Sequence, residues 1–221
     1  MDDVEAIIRR ASEELGCFLD DEAIGRFLQY HKVLTLWNRR ISLIAEKGPL
    51  DIPVKHFIDS LTALPFIHPE TRRLLDIGSG AGLPGIPLKI ARPELLVSLL
   101  EPTGKKTSFL KEALRKLSLE GLEVLQGRSD DPFILSNRMN SYDIVISRAT
   151  FALKDIILQG HPYLRRRGFI IAMKGPAVDK ELSEAMMYAH KKNLSLATVH
   201  RMSLPLLQEQ RVIVVFTNNS S

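Results

Sequence analysis

The sequence predicts an α/β protein: a doubly wound, mostly parallel seven-stranded sheet with a helical extension ahead of it. Two observations support this. From about residue 71 onward, short apolar runs alternate with helix-sized segments, which is the pattern of repeated βαβ units. Before that point, apolar residues recur at helical spacing instead. We therefore expect a helical extension over residues 1–70 and a sheet domain over residues 71–221.

The extension is predicted to contain three helices. The first covers residues 2–16 and ends at a glycine, and the second runs over residues 20–46 from an acidic cluster that suits a helix N-terminus. A Gly-Pro pair then breaks the pattern. The third helix covers residues 53–67, with Pro53 in its first turn.

Seven strands follow. They are RLLDIG (73–78), LLVSLLE (95–101), GLEVLQG (121–127), YDIVISRA (142–149), GFIIAMKG (168–175), NLSLATVHRMSL (193–204) and RVIVVFTN (211–218). A helix-sized segment fills each of the first four gaps, so the first five strands are expected to be parallel. The last two are separated only by PLLQEQ, which is too short for a crossover helix. We expect them to form an antiparallel pair at the sheet edge, which makes an antiparallel edge strand.

Composition restricts the class of protein. Charge interrupts every apolar run before the roughly 18 residues of a membrane span, and MDDVEAIIRR lacks the apolar core of a signal peptide. The sequence therefore predicts a cytosolic protein that does not bind a membrane. Its one cysteine, Cys17, excludes an internal disulfide and a multi-cysteine metal centre, and we expect no metal site.

Basic charge gathers toward the C-terminal third. The chain has a net charge of +4, and residues 161–221 carry 9 basic and 4 acidic side chains. Such an excess suits a polyanionic partner such as nucleic acid, although ordinary solvated lysines would give the same count. The basic run at residues 165–167 either faces that partner or lies at the opposite end of the fifth strand.

A glycine-rich turn predicts a ligand site. In LLDIGSGAGLPGIPLKI (74–90), Gly78, Gly80 and Gly82 lack a Cβ atom, so a ligand can lie directly against the backbone. A dinucleotide, a nucleoside triphosphate and S-adenosylmethionine (AdoMet) all suit such a turn. In an open α/β sheet it would lie where the strand order reverses.

Two carboxylates narrow the choice of ligand. Asp76 would repel a pyrophosphate but favours the sulfonium and ammonium of AdoMet; alternatively, it caps amides of the turn. Glu101 ends the second strand and could accept hydrogen bonds from both ribose hydroxyls of an adenosine, a device that NAD enzymes share, or could be a solvated acid. No P-loop lysine follows the glycines.

The motifs DIGSGAGLPGIPL, LLEPTGKKTSFL, YDIVISRA and MKG, preceded by WNRRISLIA and HFIDSL, resemble a known bacterial family. It is the family of small-subunit ribosomal RNA guanine-N7 methyltransferases, also called glucose-inhibited division protein B. The resemblance runs from about Trp37 to Gly175, with a weaker echo in PLLQEQRVIVVF. It implies a Rossmann-like methyltransferase domain and AdoMet-dependent methylation of a guanine in the decoding-region loop of 16S ribosomal RNA.

The resemblance also implies site residues and partners. The expected cofactor residues, including those argued from the residues themselves, are Asp76, Gly78, Gly80, Gly82, Leu83, Glu101, Thr103, Ser129, Asp130 and Arg148. Family members usually carry Ala-Glu or a similar pair at the positions of Ser129 and Asp130, which could instead cap a turn or helix. The implied partner is 16S ribosomal RNA or a precursor of the small subunit, and we expect a monomer.

Arg148 and Lys174 are the expected RNA contacts, because each follows a strand near where the methyl group is delivered; either could form a structural salt bridge instead. No catalytic base is expected, because guanine N7 has an available lone pair and needs alignment and unstacking. His56 and Asp59 lie about one helical turn apart and could pair with each other, contact RNA or pack within a helix. The roles of Trp37 and Asn38 stay open.

Three other functions remain compatible with the residues. A methyltransferase could act on another RNA, a protein or a small molecule, and an NAD-dependent oxidoreductase could use the same glycine turn. A noncatalytic RNA-binding module is the third. AdoMet binding separates the first from the second, and the intact glycine triad argues against the third.

Overall fold

A seven-stranded sheet lies at the centre of the fold, in a computed structural model that describes residues 2–148 and 151–219. Its strands are β1 (Arg73–Ile77), β2 (Leu96–Glu101), β3 (Leu122–Gln126), β4 (Tyr142–Arg148), β5 (Leu164–Lys174), β6 (Leu194–Ser203) and β7 (Gln210–Asn218). They lie in the order β3-β2-β1-β4-β5-β7-β6. The strands β1 to β5 are parallel, whereas β7 runs antiparallel to both β5 and β6.

This topology confirms the predicted fold class and the antiparallel pair at the sheet edge. The strand that opposes the others, β7, lies one position in from the edge, and β6 covers it. Strand order reverses between β1 and β4, which opens a crevice beyond the carboxyl ends of the strands. The predicted fourth strand ends at Arg148, and its last residue, Ala149, lies outside the described residues.

Helices cover both faces of the sheet. They are α1 (Asp2–Glu14), α2 (Asp21–Asn38), a π-helix (Asp51–Ile58), α3 (Asp59–Leu61), α4 (Gly85–Ala91), α5 (Gly104–Leu117), α6 (Pro132–Arg138), α7 (Leu153–Gly160) and α8 (Asp179–Lys191). Short 3₁₀ turns lie at Leu64–Phe66, His161–Tyr163 and Pro176–Val178. Within the described residues, no helix is both long and apolar enough to cross a bilayer.

The second predicted helix, over residues 20–46, is too long. The helix α2 stops at Asn38, whose side-chain oxygen accepts hydrogen bonds from the amides of Leu43 (2.9 Å) and Ile44 (3.0 Å). An asparagine side chain competes in this way with the helical hydrogen-bond pattern. Asn38 therefore turns the chain toward the segment that follows.

The third predicted helix, over residues 53–67, is several elements. It begins as the π-helix, continues into α3 and ends in the 3₁₀ turn Leu64–Phe66, where Pro65 disfavours an α-helical conformation at the preceding residue. The π-helix has wider turns than an α-helix, and it places its residues beside the end of β4.

The extension and the sheet share their hydrophobic core. Phe27 and Phe57 from the extension belong to the same buried cluster as Leu74 on β1 and Phe109 on α5. Trp37 packs edge-on against Phe109, with ring centroids 5.8 Å apart, which places it among core-packing aromatics. The division of the chain at residue 70 stays a prediction.

Candidate active site

The glycine turn, residues 78–85, adopts the backbone conformation that its sequence predicts. The φ angles of Gly78, Gly80 and Gly82 are +73°, +55° and +81°, in the region that only glycine enters easily. The amides of Gly78 and Ser79 donate to the carbonyl of Leu100 at 2.9 and 3.2 Å, so the turn is joined to the end of β2. The turn therefore lies at the carboxyl end of β1, where Gly78, Gly80 and Gly82 lack a Cβ atom.

Glu101 braces this turn. One carboxylate oxygen accepts from the amide of Gly80 and the other from the amide of Thr103, both at 2.9 Å, and the residue is 4% exposed. It is therefore not a solvated acid. Each carboxylate oxygen has a second lone pair, so hydrogen bonds from ribose hydroxyls remain chemically open and stay a prediction.

Asp76 lies beneath the same turn and is fully buried. One oxygen accepts from the amide of Gly85 at 2.9 Å, the capping role considered from the sequence, and the other has no hydrogen-bond partner among the described residues. Burial raises the pKa of Asp76 to about 7. A nearby positive charge would stabilise its ionised form, so a cationic ligand remains compatible with this carboxylate.

The helical extension also contacts the turn. The buried hydroxyl of Tyr30, on α2, donates a hydrogen bond to the carbonyl of Ala81. Its ring stacks on Phe57, with ring centroids 4.9 Å apart. Leu83 is buried within the turn, and the bond between Leu83 and Pro84 is cis. The extension therefore helps to hold the proposed cofactor segment in place.

A small pocket of about 130 Å³ lies over the carboxyl ends of β1, β2 and β3. It is lined by Gly78 and Ser129 among others. The Ser129 hydroxyl donates to Gln159 at 2.7 Å, whereas Asp130 is exposed and pairs with Arg128 at 3.1 Å, which lowers the pKa of Asp130. The helix cap that follows is formed by Asp131, so neither Ser129 nor Asp130 serves as that cap.

The glycine turn and its two carboxylates suit AdoMet, but the pocket above them is small. A Cβ atom on Gly78 would lie 2.8 Å from the ring of Phe151, so that ring packs directly over the turn. Small-molecule sites usually occupy roughly 300–1,000 Å³. An adenosyl group would therefore need the ring of Phe151 to move from its position over the turn.

A neighbouring cavity, the basic cavity, has a volume of about 450 Å³ and lies over the ends of β4, β5 and β7. Arg148 and Lys174 both line it, so the structure brings the two predicted RNA contacts together. The ammonium of Lys174 donates to the carbonyl of Phe151 at 2.8 Å and pairs with Glu181 at 3.0 Å. The salt bridge considered for this residue is thus present at the cavity wall.

Arg148 is held by the π-helix and α3. It donates to the Asp59 carboxylate and to the Lys55 carbonyl, each at 3.2 Å, and its other terminal nitrogen lies 3.3 Å from Nδ1 of His56. His56 and Asp59 do not pair with each other in this way, but both contact Arg148. The salt bridge considered for Arg148 therefore exists and also lines the cavity.

Sequence reasoning missed three residues beside this cavity: Lys55, Glu209 and Arg211. Arg211 pairs with Asp59 and Glu209, and Glu209 also pairs with Lys55. The PLLQEQRVIVVF segment contains Glu209 and Arg211, and Lys55 directly precedes the HFIDSL motif, but neither motif by itself indicates a role for these charged residues. Arg211 begins the apolar run of β7, and strand pairing carries it to the ends of β4 and β5.

The basic run at residues 165–167 lies elsewhere. It belongs to the first half of β5, at the amino edge of the parallel strands, and Arg165 pairs with Asp143 there. The carboxylate of Asp143 also accepts from the amides of Arg72 and Arg73 at the start of β1. These arginines therefore do not face the crevice, which agrees with the second of the two alternatives that the sequence left open.

Comparison with known proteins decides the family. The model of a family described as rRNA small subunit methyltransferase G matches residues 23–214. The chain belongs to this family. This result confirms the resemblance seen in the sequence, and with it an AdoMet-dependent methyltransferase rather than a dinucleotide oxidoreductase or a noncatalytic module.

Relatives in the rRNA small subunit methyltransferase G family match nearly the whole chain. The Ribosomal RNA small subunit methyltransferase G of Syntrophus aciditrophicus (strain SB) is 39% identical over 216 residues, covering 97% of this chain and 90% of the relative. The protein of the same name from Acinetobacter baumannii (strain AYE) is 33% identical over 208 residues, covering 94% and 95%.

Solved structures share the fold of this family member at lower identity. M. jannaschii TYW2 in complex with AdoMet has a TM-score of 0.57 and 19% identity, covering 73% of this chain and 74% of that chain. A geranyl diphosphate methyltransferase in complex with GPP and sinefungin has a TM-score of 0.59 and 12% identity, covering 86% and 99%. Both likenesses support the Rossmann-like methyltransferase architecture.

Proposed function

We propose that this protein transfers the methyl group of AdoMet to N7 of a guanine in the decoding-region loop of 16S ribosomal RNA. Membership in the rRNA small subunit methyltransferase G family supports the reaction and the substrate. One observation supports the location of the active site. The glycine turn and the basic cavity lie side by side along the same edge of the sheet. A cofactor over β1 to β3 would thus adjoin an acceptor over β4, β5 and β7.

The cofactor side is assigned to the turn and its braces. Gly78, Gly80 and Gly82 would allow AdoMet to approach the backbone, and Glu101 would hold the turn while accepting ribose hydroxyls. Asp76 would favour the positive charge of the ligand from beneath the turn. When bound, AdoMet supplies a methyl group activated by its positively charged sulfur.

Four further residues complete the proposed cofactor side: Leu83, Thr103, Ser129 and Asp130. Of the two roles expected of Arg148, we assign it the acceptor role, because it lines the basic cavity and not the small pocket. Leu83 is buried in the turn, whereas Thr103 is exposed at the start of α5. Ser129 lines the small pocket, where its backbone amide would meet an adenine edge. The exposed carboxylate of Asp130 would have to leave Arg128 to accept the exocyclic amine.

The acceptor side is assigned to the basic cavity. Its volume of about 450 Å³ lies within the range of small-molecule sites and admits a nucleobase that has been taken out of its stack. Arg148 and Lys174 supply positive charge there, which suits RNA phosphate or the acceptor oxygens of a base. Because N7 carries its own lone pair, these groups need only orient the guanine and exclude water.

We further propose that the protein acts as a monomer in the cytoplasm, on 16S ribosomal RNA or on a precursor of the small ribosomal subunit. The excess of basic over acidic side chains suits such a polyanionic partner. Parallel assays with naked 16S RNA and with isolated 30S particles from a strain lacking the protein would separate the two substrates.

The direct test supplies purified protein with methyl-labelled AdoMet and unmodified 16S RNA. Mass spectrometry of nuclease fragments should then locate one 7-methylguanosine in the decoding-region loop. Incubation with 23S RNA or transfer RNA serves as the specificity control. Label on another base, another RNA or protein would reject the proposed acceptor while leaving the methyltransferase class intact.

A further inference from the structure

A single segment of the extension surrounds the Arg148 side chain. The carbonyl of Lys55 and the carboxylate of Asp59 each accept from one terminal nitrogen at 3.2 Å, and Nδ1 of His56 lies 3.3 Å from the other. A guanidinium can only donate hydrogen bonds, so Nδ1 of His56 must be the acceptor and the His56 proton lies on Nε2. That nitrogen faces the carbonyl of Ala45 at 3.4 Å.

The π-helix explains how residues 55, 56 and 59 reach one side chain. At its start the amide of Lys55 bonds to the carbonyl of Leu50, five residues earlier, at 3.3 Å. Such wide turns are rare and often lie at functional sites. Here the helix turns its Lys55 carbonyl and His56 ring toward Arg148, while α3 begins with Asp59.

Asp59 contacts a second arginine from a distant strand. Its other oxygen accepts from Nε of Arg211 at 3.1 Å, so one carboxylate links the end of β4 to the start of β7. Asp59 is 5% exposed and lines the basic cavity together with both arginines. Burial raises the pKa of Asp59 and the two guanidinium groups oppose that shift.

The network continues outward from Arg211. Glu209 pairs with Arg211 and with Lys55, each at 3.0 Å, and Lys55 pairs with Asp51 at 3.1 Å. Each of these outer pairs has at least one partly exposed side chain, so we expect each to contribute less than a fully buried pair. The central carboxylate differs, because removing one member of a buried charged set leaves the others without their partners.

We propose that Asp59 is a positioning residue that fixes the guanidinium groups of Arg148 and Arg211 on one wall of the basic cavity, and so controls capture of the acceptor RNA. This inference rests on the proposed function. Its contacts lie over β4 and β7 and line the basic cavity, not the small pocket, so we expect the effect to fall on the acceptor rather than on the cofactor.

The direction in which RNA affinity changes distinguishes a positioning role of Asp59 from an effect of its charge alone. Asp59→Asn removes a negative charge, and a net gain of positive charge by itself strengthens the attraction of a protein for RNA. Loss of the fixed geometry weakens productive capture instead. The two explanations thus predict opposite changes in RNA affinity for the same substitution.

The experiment compares Asp59→Asn with Glu112→Gln, a matched control that also removes one negative charge. Glu112 pairs with Arg115 at 2.9 Å on α5, which packs beside β2 and β3 and does not line the cavity. For Asp59→Asn we expect the KM for 16S RNA to rise at least tenfold and kcat to fall, while the Kd for AdoMet changes less than twofold. Glu112→Gln should leave all three within twofold.

RNA affinity, measured by fluorescence anisotropy with the decoding-region hairpin, keeps the test independent of methylation. If the wild type binds this hairpin but methylates another acceptor, the proposed function is wrong. The positioning role of Asp59 is still tested in that case, by the RNA affinity of the variants. If Asp59→Asn does not fold, Arg211→Lys provides the test from the other end of the contact, because it keeps the positive charge but removes the guanidinium that contacts Asp59 and Glu209. Unchanged or tighter RNA binding in a folded variant, or an equal loss of AdoMet affinity, would overturn the inference.

Discussion

The two halves of the crevice are built in different ways. Over β1 to β3, the proposed cofactor site consists of backbone from one stretch of chain, braced by Asp76 and Glu101. Over β4, β5 and β7, the basic cavity consists of charged side chains that come from the extension and from three strands. The first half is a rigid backbone surface, whereas the second depends on a network of ion pairs.

The difference teaches where single substitutions should act. A backbone turn fails when its conformation becomes inaccessible, and this failure does not depend on salt. An ion-pair network responds to charge and to salt. Substitutions in the two halves should therefore differ in their dependence on salt as well as in the ligand that they affect.

The largest effect is expected from Gly80→Val. The φ angle of Gly80 is +55°, a region that β-branched residues almost never enter, although a Cβ there would meet only the carbonyl of Gly78 at 3.8 Å. The turn must therefore rearrange without a steric clash in the core. We expect AdoMet affinity to fall at least 100-fold by calorimetry.

Gly25→Val is the matched control for this substitution. Gly25 is exposed on α2 and has no positive φ angle, and a Cβ atom added there would have no neighbour within 4 Å among the described residues. AdoMet affinity and circular dichroism should both match the wild type. Retained affinity in a folded Gly80→Val protein would show that the turn does not hold the cofactor.

The next largest effect is expected from Glu101→Gln. The amide group replaces one acceptor of the Gly80 and Thr103 amides by a donor, and it removes the charge that would meet ribose hydroxyls. AdoMet affinity should weaken by roughly 1.5–3 kcal/mol, the scale of hydrogen bonds to a charged group. Titration calorimetry measures this directly.

A 2′-deoxy analogue of AdoMet separates bracing from ribose recognition. If Glu101 accepts the ribose hydroxyl, removing that hydroxyl should cost the wild type more affinity than the Glu101→Gln variant. An equal loss in both proteins would mean that Glu101 only holds the turn. The thermal midpoint of each protein checks that the comparison is made between folded states.

The same contrast explains what the sequence could and could not predict. The glycine turn, its strand and Glu101 are close in sequence, and their residue types report their conformations directly. The contact of Asp59 with Arg148 and Arg211 joins segments about 90 and 150 residues apart. No local pattern encodes such a contact, because it follows only from the order of the strands.

Local patterns also failed where a side chain overrode periodicity. Apolar spacing continued the second helix to residue 46, but the Asn38 side chain satisfied the amides of a turn instead. The position of the arginines at residues 165–167 could not be decided from charge counts. It required knowing that β5 begins at Leu164, several residues before its continuous apolar run.

A smaller, pH-dependent effect is expected in the ion-pair half. Burial, and then the charge of Arg148, lower the pKa of His56 to about 4 from its usual 6.5; Asp51 opposes this shift and Lys55 adds to it. Above pH 6.5 His56 is neutral in folded and unfolded protein. Between about 6.5 and 4 only the unfolded chain gains the proton, so stability falls as pH falls.

We expect this loss to be on the order of 1–2 kcal/mol once partial exposure of the ring is allowed for. Urea unfolding of the wild type and of His56→Asn at pH 7.5 and pH 4.5 measures it as a difference, because the raised pKa values of the buried Asp59 and Asp76 act in the opposite direction in both proteins. His56→Asn keeps an acceptor near Nδ1 without a titrating group, so it should lose less stability than the wild type as pH falls. Identical pH profiles would show that His56 does not carry the effect.

The smallest effect is expected from replacing Arg166 and Arg167 together by alanine. Both are exposed at the amino edge of β5, opposite the crevice, and Arg165 is left in place because it pairs with the buried Asp143. Each phosphate contact contributes about 0.7 to 0.9 to the slope of log affinity against log salt. The double variant should therefore keep the wild-type slope and methylation rate.

Arg211→Gln provides the opposite case, since it removes one positive charge at the basic cavity. The slope of log affinity against log salt should become less steep by about 0.7 to 0.9, the contribution of one phosphate contact. Anisotropy titrations of the decoding-region hairpin between low and moderate salt compare the three proteins. A less steep salt dependence of RNA affinity in the Arg166 and Arg167 double variant would place RNA phosphates at the amino edge of β5. The basic cavity would then bind the reacting base but not the phosphates. An unchanged slope in the double variant, with a flatter one in Arg211→Gln, confines the RNA to the same edge of the sheet as the glycine turn, as methyl transfer between the two halves requires.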